Sequence, residues 1–397
     1  MTKEEISKLK EVFDNIKPTE ETTEDGKVIE TTVLDTINIS MIGPRGAGKT
    51  SLLATIFKYV EENLKPKNFE IVIDEDSEIR IKRFIESLQI IKNAENGSDV
   101  SGKIGALDPT QGIQTFKFFI NFKKEIADKK KKIVVSLPFV IMDVPGGVVE
   151  EETASKSLAE DFENHLSKSS VLLVPFDSML YMQKPLCDDK EAYDKYTAKH
   201  LSNHFIEKYC LKWAKNREDD KHPKAVFIAM KSETYHTHKV TENKSEDCYN
   251  RFRDLFNEAI VKMAQNSPNS LSIIYTPVET IGCIQCVNSK FENNELTHKF
   301  VKHNNIPDHL GAGVVLKAIF ERTKDHLDEV YGDANKWIEY VKNRSFWDIL
   351  MDPWSTISTY WTKDKVTEFY NDIKLINDEL DSITDSDTCI KKYRRLL

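Results

Sequence analysis

"INISMIGPRGAGKTSLLATIF" (residues 37–57) decides how this chain is read. Ile37, Ile39 and Met41 alternate with polar residues as a strand does, and Leu52, Leu53, Ile56 and Phe57 recur at helical spacing. Between them runs G-x-x-x-x-G-K-[ST], here Gly43-Pro44-Arg45-Gly46-Ala47-Gly48-Lys49-Thr50. A glycine-rich turn from strand into helix aims backbone N–H groups at one point, and the positive end of the helix dipole faces the same point. The arrangement predicts a phosphate-binding loop. Lys49 adds charge on the outer phosphates and the Thr50 hydroxyl is a Mg²⁺ ligand. The residues expected to cradle nucleotide are Gly43, Arg45, Gly46, Ala47, Gly48, Lys49, Thr50 and Ser51.

Outward from the loop, short apolar runs alternate with helical patterns. "TFKFFINF" (115–122) alternates as a strand, and "KKIVVSLPFVIMDVPGG" (131–147) forms a second strand joined to it as a hairpin. Lysines 129–132 read as the solvated tip of that hairpin. "SSVLLVPFD" (169–177), "KAVFIAMKSE" (224–233) and "SLSIIYTPVET" (270–280) are nearly continuous apolar runs, as buried parallel strands are. Helical patterns cover 154–166, 190–215, 245–265 and 312–330. The fold class expected is therefore α/β: an open, mostly parallel sheet with helices on both faces and ligands at the strands' carboxyl ends. One edge strand is expected to be antiparallel.

The 397 residues divide into an N-terminal helix and acidic linker (1–33), a nucleotide domain (34–330) and a helical C-terminal extension (331–397). Two insertions, at about 60–105 and 178–222, interrupt the middle unit. Apolar content of 40% and charged content of 30% suit a globular protein, and a net charge of −9 argues against nucleic acid as a partner. No apolar run approaches the ~20 residues of a membrane span, the first residues MTKEEISKLK are no signal peptide, and no lipidation motif is present, so membrane contact is not expected. Cysteines that are scattered except for Cys283-x-x-Cys286 suit a reducing cytoplasm, and that lone pair reads as buried thiols rather than zinc ligands. His200 and His204 lie four apart with no third ligand at motif spacing, which favours packing over zinc. Trp347, Trp354 and Trp361, seven apart, read first as a stripe packed on the nucleotide domain. A partner surface and a membrane-surface anchor are the alternatives.

A phosphate loop alone does not separate ATPases, kinases and GTPases; the elements downstream of it do. Pro109-Thr110-Gln111-Gly112-Ile113 precedes a strand, Asp143-Val144-Pro145-Gly146 ends the next, and Met230-Lys231-Ser232-Glu233 ends the next but one. In that order the chain resembles the Ras-like P-loop GTPases (of the translation-factor-related class), around the switches most of all the ADP-ribosylation-factor and G-protein α branches. The resemblance spans about residues 34–330. It implies a first switch in which Thr110 reaches Mg²⁺ and the γ-phosphate, with Gln111 beside it. It implies a second in which Asp143 holds a Mg²⁺-bound water and the Gly146 N–H reaches the γ-phosphate. The third element resembles [NT]-K-x-D: Glu233 would accept from guanine N1–H and N2–H₂, and Lys231 would lie along the base. A backbone contact to guanine O6 would come from Glu279-Thr280-Ile281-Gly282.

Two departures from that pattern matter. Met230 stands where Asn or Thr braces the loop by hydrogen bonds, and Gly147 stands where a glutamine orients the attacking water. Hydrolysis is therefore expected to be slow unless Gln111, Glu150 to Glu152, Arg45 or a partner substitutes. The expected function is Mg²⁺-dependent GTP and GDP binding with weak GTPase activity, acting as a cytoplasmic conformational switch for a protein partner. That partner would bind through the switches, the insertions or the C-terminal extension. A homo-oligomer supplying groups across the nucleotide is also compatible. A P-loop ATPase, in which Glu233 is incidental, and a nucleotide-binding scaffold without catalysis are the alternatives.

Overall fold

The computed structural model of the chain describes residues 2–16, 18–44, 46–63, 69–105, 114–126, 131–143, 156–182, 187–200, 203–217, 220–233, 245–292, 295–303, 311–342, 363–385 and 394–395. The chain opens with α1 (Lys3–Asn15). Thr2 caps it, accepting the Glu5 N–H at 3.2 Å while Glu5 accepts the Thr2 N–H at 2.7 Å, a reciprocal pair that satisfies two N-terminal donors. The acidic stretch read as a linker is instead paired. β1 (Thr19–Thr22) and β2 (Val28–Val33) form an antiparallel hairpin that turns at Gly26 (φ 74°). Its β-branched Thr, Val and Ile residues outweigh the acidic composition on which the linker reading rested.

β3 (Ile37–Met41) leads through the glycine loop into α2 (Lys49–Asn63), then β4 (Phe69–Ile73), α3 (Glu75–Lys92) and α4 (Ser101–Gly105). β5 (Gln114–Ile126) and β6 (Lys131–Asp143) come next, then α5 (Lys156–Lys168), β7 (Val171–Asp177) and α6 (Met179–Met182). The pattern read as one helix over 190–215 is two, α7 (Lys190–His200) and α8 (Asn203–Lys215). β8 (Lys224–Met230), α9 (Ser245–Asn266) and β9 (Ser272–Pro277) lead to a hairpin of β10 (Ile284–Glu292) and β11 (Glu295–Lys302). The chain ends with α10 (Ala312–Tyr331), α11 (Asp333–Lys342), α12 (Lys363–Asp385) and β12 (Arg394–Arg395).

β3 is central. It pairs in parallel with β6 on one side and β7 on the other, and β8 and β9 continue in parallel beyond β7. β2 lies in parallel along the first half of β6 and β3 along its second half, so the two strands run end to end. β5 pairs antiparallel with β6 as the hairpin reading predicts, but β4 pairs outside it as an edge strand. Lys131 and Lys132, read as part of the hairpin tip, belong to β6, where Lys131 is ion-paired to Glu30. The fold is thus an open, mostly parallel α/β sheet.

Alternate residues feed opposite faces. Ile39, Met41, Val171, Leu173, Val226, Ile228 and Met230 join α2, α10 and α12 in one core. Leu172, Val174, Phe176, Ala225, Phe227 and Ala229 join α5, α8 and α9 in the other. Helices from the expected C-terminal extension belong to the first core: Val366, Phe369, Ile373 and Ile376 of α12 form one stripe, and Phe369 meets Phe13 and Tyr331 edge-on at 5.6 and 5.4 Å. A smaller cluster joins Leu88 and Ile91 of α3, Val100, Met179, Ile281, Cys283, Ile284, Cys286 and Phe300. It seats the β10–β11 hairpin beside the carboxyl ends of β7 and β8. Lys302 of β11, 2% exposed, donates its ammonium to the Lys92 and Ala94 carbonyls and so caps the C-terminus of α3.

Candidate functional site

The tips of β3, β6, β7, β8 and β9 converge where strand order reverses about β3. The glycine loop is shaped by close approach and by backbone sign. A Cβ built at Gly43 would lie 2.3 Å from the Pro175 carbonyl oxygen of β7, so the loop packs backbone to backbone there. Gly46 and Gly48 have φ of 77° and 92°, which L side chains adopt only at a cost. A Cβ at Gly48 would stand 3.3 Å from Met230 Cε, so the tip of β8 backs the loop from below. The Ala47 N–H reaches the Pro44 carbonyl at 3.3 Å and tightens the turn.

Lys49 is 7% exposed, and its ammonium lies on the loop's own carbonyls, Gly43 O at 3.0 Å and Pro44 O at 3.2 Å. Asp143 Oδ1 is 4.0 Å from the same nitrogen. Asp143 is fully buried, and among the described residues neither carboxylate oxygen has a hydrogen-bond partner. Burial raises its pKa to about 6, with Lys49 pulling the other way. A buried carboxylate with no donor is costly unless a cation or its water shell meets it. With Thr50 in the first turn of α2, this donor set fits Mg²⁺, a hard cation that takes oxygen ligands.

Lys231, at φ 60°, turns the chain after β8, and its ammonium is bound to Asp177 Oδ2 at the tip of β7. Asp177 Oδ1 accepts the Met179 N–H at 3.0 Å. Glu233 is 1% exposed, and its Oε1 accepts from Ile281 N at 3.3 Å and Thr280 Oγ1 at 3.4 Å. Burial raises its pKa against those hydrogen bonds. The structure thus joins the two stretches that the sequence separated, 230–233 and 279–282. His298 of β11 lies within electrostatic reach of Asp177 and Lys231, and Ser289 Oγ meets its Nδ1 at 2.8 Å. Burial lowers its pKa to about 4, Asp177 opposing and Lys231 reinforcing.

Gly43, Gly46, Ala47, Gly48, Lys49, Thr50, Ser51, Asp143, Lys231 and Glu233 are all placed on these strand tips or the loops and helix they feed. Arg45, Thr110, Gln111 and Gly146 lie outside the described residues, as do Gly112, Gly147 and the three spaced tryptophans. Of the two stretches read as switches from the sequence, only Asp143 lies among the described residues. Cys283 and Cys286 are buried free thiols, and among the described residues no group of three His, Cys, Asp or Glu is placed to hold a metal. Nor is any described helix long and apolar enough to cross a membrane. Sequence reading missed Asp177, Ser178 and Pro175. The one available signal was a charged residue closing the apolar run VLLVPFD.

No protein-family model and no curated protein matches the chain. Among solved structures it is similar to the Ski7 GTPase-like domain of S. cerevisiae bound to GTP, with 14% identity and a TM-score of 0.30 over 62% of this chain and 43% of that one. The same domain bound to GDP and inorganic phosphate gives 13% identity, with the same score and coverage. The chain spans less than half the length of those it matches.

Proposed function

We propose that this chain binds guanine nucleotides with Mg²⁺ at the tips of β3, β6 and β8, hydrolyses GTP slowly and acts as a conformational switch read by a protein partner. The observation that carries the reading is the pairing of the glycine loop with a buried carboxylate that, among the described residues, accepts no hydrogen bond. Lys49 rests on the carbonyls of its own loop, and Asp143 stands bare 4.0 Å away. Phosphate oxygens would compete with those carbonyls for the ammonium, and the N–H groups of 46–50 would turn to the same anion. Thr50, Asp143 and, by the resemblance, Thr110 would hold the metal. Bound Mg²⁺ would neutralise charge developing on the transferred phosphoryl group.

Glu233 supports guanine over adenine. Thr280 and Ile281 hold its carboxylate from the O6-side loop, and a carboxylate there pairs with two guanine donors that adenine lacks. Gly147 supports slow turnover, since no side chain there orients water, and leaves Gln111, Arg45 or a partner's group to supply what it lacks. The Gly146 N–H would sense the γ-phosphate, and residues 105–115 and 143–155 would carry its loss to the partner.

The test is identification of nucleotide co-purifying with the protein, then titration of the stripped protein with GTP, GDP and ATP, with and without Mg²⁺. Tight, Mg²⁺-dependent guanine binding is expected, with bound GTP surviving purification in part. Adenine binding with no guanine competition would overturn the assignment of Glu233, and absence of any binding would overturn the whole reading.

A further inference from the structure

Met230 sits where the resembled family carries a hydrogen-bonding side chain, and its side chain instead fills the space a Cβ at Gly48 would face, with Cε 3.3 Å from that point. Dispersion contact resists compression but has little direction, so it cannot by itself orient the turn after β8. That turn needs orientation. Lys231 is the only non-glycine residue at positive φ among the described residues, a conformation costing about 1–2 kcal/mol that neighbouring contacts must hold.

The directional contacts come from the neighbouring strand. Ser178 donates its hydroxyl to the Met230 carbonyl, and its N–H reaches the same oxygen at 3.3 Å. Asp177, 7% exposed, receives the Lys231 ammonium on Oδ2 while Met179 N–H anchors Oδ1 at 3.0 Å. Ser232 N–H then reaches the Val278 carbonyl at 3.4 Å, and Glu233 meets Thr280 and Ile281. Asp177 and Ser178, at the end of β7, therefore tether Met230 and Lys231, one by charge and one by carbonyl.

We propose that Asp177 and Ser178 are positioning residues for base discrimination, orienting residues 230–233, while Met230 separately backs the phosphate loop. The proposal rests on the nucleotide reading above. It divides the work of one family position between two strands, and that division gives the two halves separate signatures.

The experiment compares wild type, Asp177→Asn and Met230→Ala in affinity for GTP, ATP and inorganic tripolyphosphate, with melting temperature alongside. Asp177→Asn keeps an oxygen for Met179 N–H and removes the charge that holds Lys231. Its guanine-over-adenine preference is expected to fall about tenfold. Tripolyphosphate affinity should stay within about twofold of wild type, and Asp177→Glu should restore part of the preference. Met230→Ala should do the reverse, weakening tripolyphosphate and leaving the preference intact. A purely structural role would lower both in step with the melting temperature, and that result, or an unchanged preference in Asp177→Asn, overturns the proposal alone. A wild type with no guanine preference overturns the nucleotide reading and this proposal together.

Discussion

Replacing Gly43 by alanine tests whether the glycine loop is held by close packing or only by backbone freedom. The new Cβ would lie 2.3 Å from the Pro175 carbonyl oxygen, whereas carbon and oxygen ordinarily meet at about 3.3–3.6 Å. The partner is backbone of a fully buried central strand, so the loop must yield, by about 1 Å. Overpacking of this kind costs about 1–3 kcal/mol in stability. A 1 Å shift of groups that position a ligand can cost about a hundredfold in function. Gly46→Ala is the control: its Cβ meets nothing within 4 Å, and only the φ of 77° opposes it, at about 1–2 kcal/mol. The two variants should lose comparable stability in chemical denaturation. In calorimetric titration with GTP or GDP, Gly43→Ala should lose about tenfold more affinity than Gly46→Ala. Equal losses, or wild-type affinity in Gly43→Ala, would refute the argument that contact with β7 sets the loop's position.

Burial lowers the His326 pKa to about 4, Arg322 reinforcing and Asp35 opposing, so the unfolded chain takes up a proton near pH 6.5 that the folded one refuses. Stability is full above pH 6.5 and should fall by about 3 kcal/mol as pH drops toward 4; His326→Phe should flatten that loss in melting curves. Asp143 has the opposite sign. Its raised pKa makes ionisation a cost that is absent below about pH 4, grows to pH 6 and stays full above, so Asp143→Asn should raise the melting temperature at pH 7.5, show no gain at pH 4 and abolish Mg²⁺-dependent nucleotide binding. Lys302→Met removes the buried ammonium that caps α3 and should cost about 1–3 kcal/mol, with faster hydrogen exchange at the Asn93 and Ala94 amides of its last turn as the direct sign.

The sequence carried the sheet and the glycine loop because both are written in short-range pattern. The apolar runs at 169–177, 224–233 and 270–280 each contain a strand, Val171–Asp177, Lys224–Met230 and Ser272–Pro277, since a strand buried on both faces has no polar side to show. The loop was legible for the same local reason: three glycines, a lysine and a hydroxyl at set spacing between a strand pattern and a helix pattern. Reading failed where composition and pairing disagreed. "TEET" is acidic and exposed, yet it forms β1 because Val28–Val33 offers it an edge. Lys131 lies in a strand because Glu30, a hundred residues away in sequence, compensates its charge.

What the sequence determined by itself is therefore the open α/β sheet and the glycine-rich turn from strand into helix, because period and glycine at fixed spacing are local properties. The tertiary structure alone decided which residues meet. It set Lys49 beside a bare Asp143, brought Glu233 to Ile281, laid Met230 under Gly48 and bound Lys231 to Asp177. Those contacts arise from the order in which parallel strands stack, and strand order depends on long-range pairing free energy that no short stretch of sequence records.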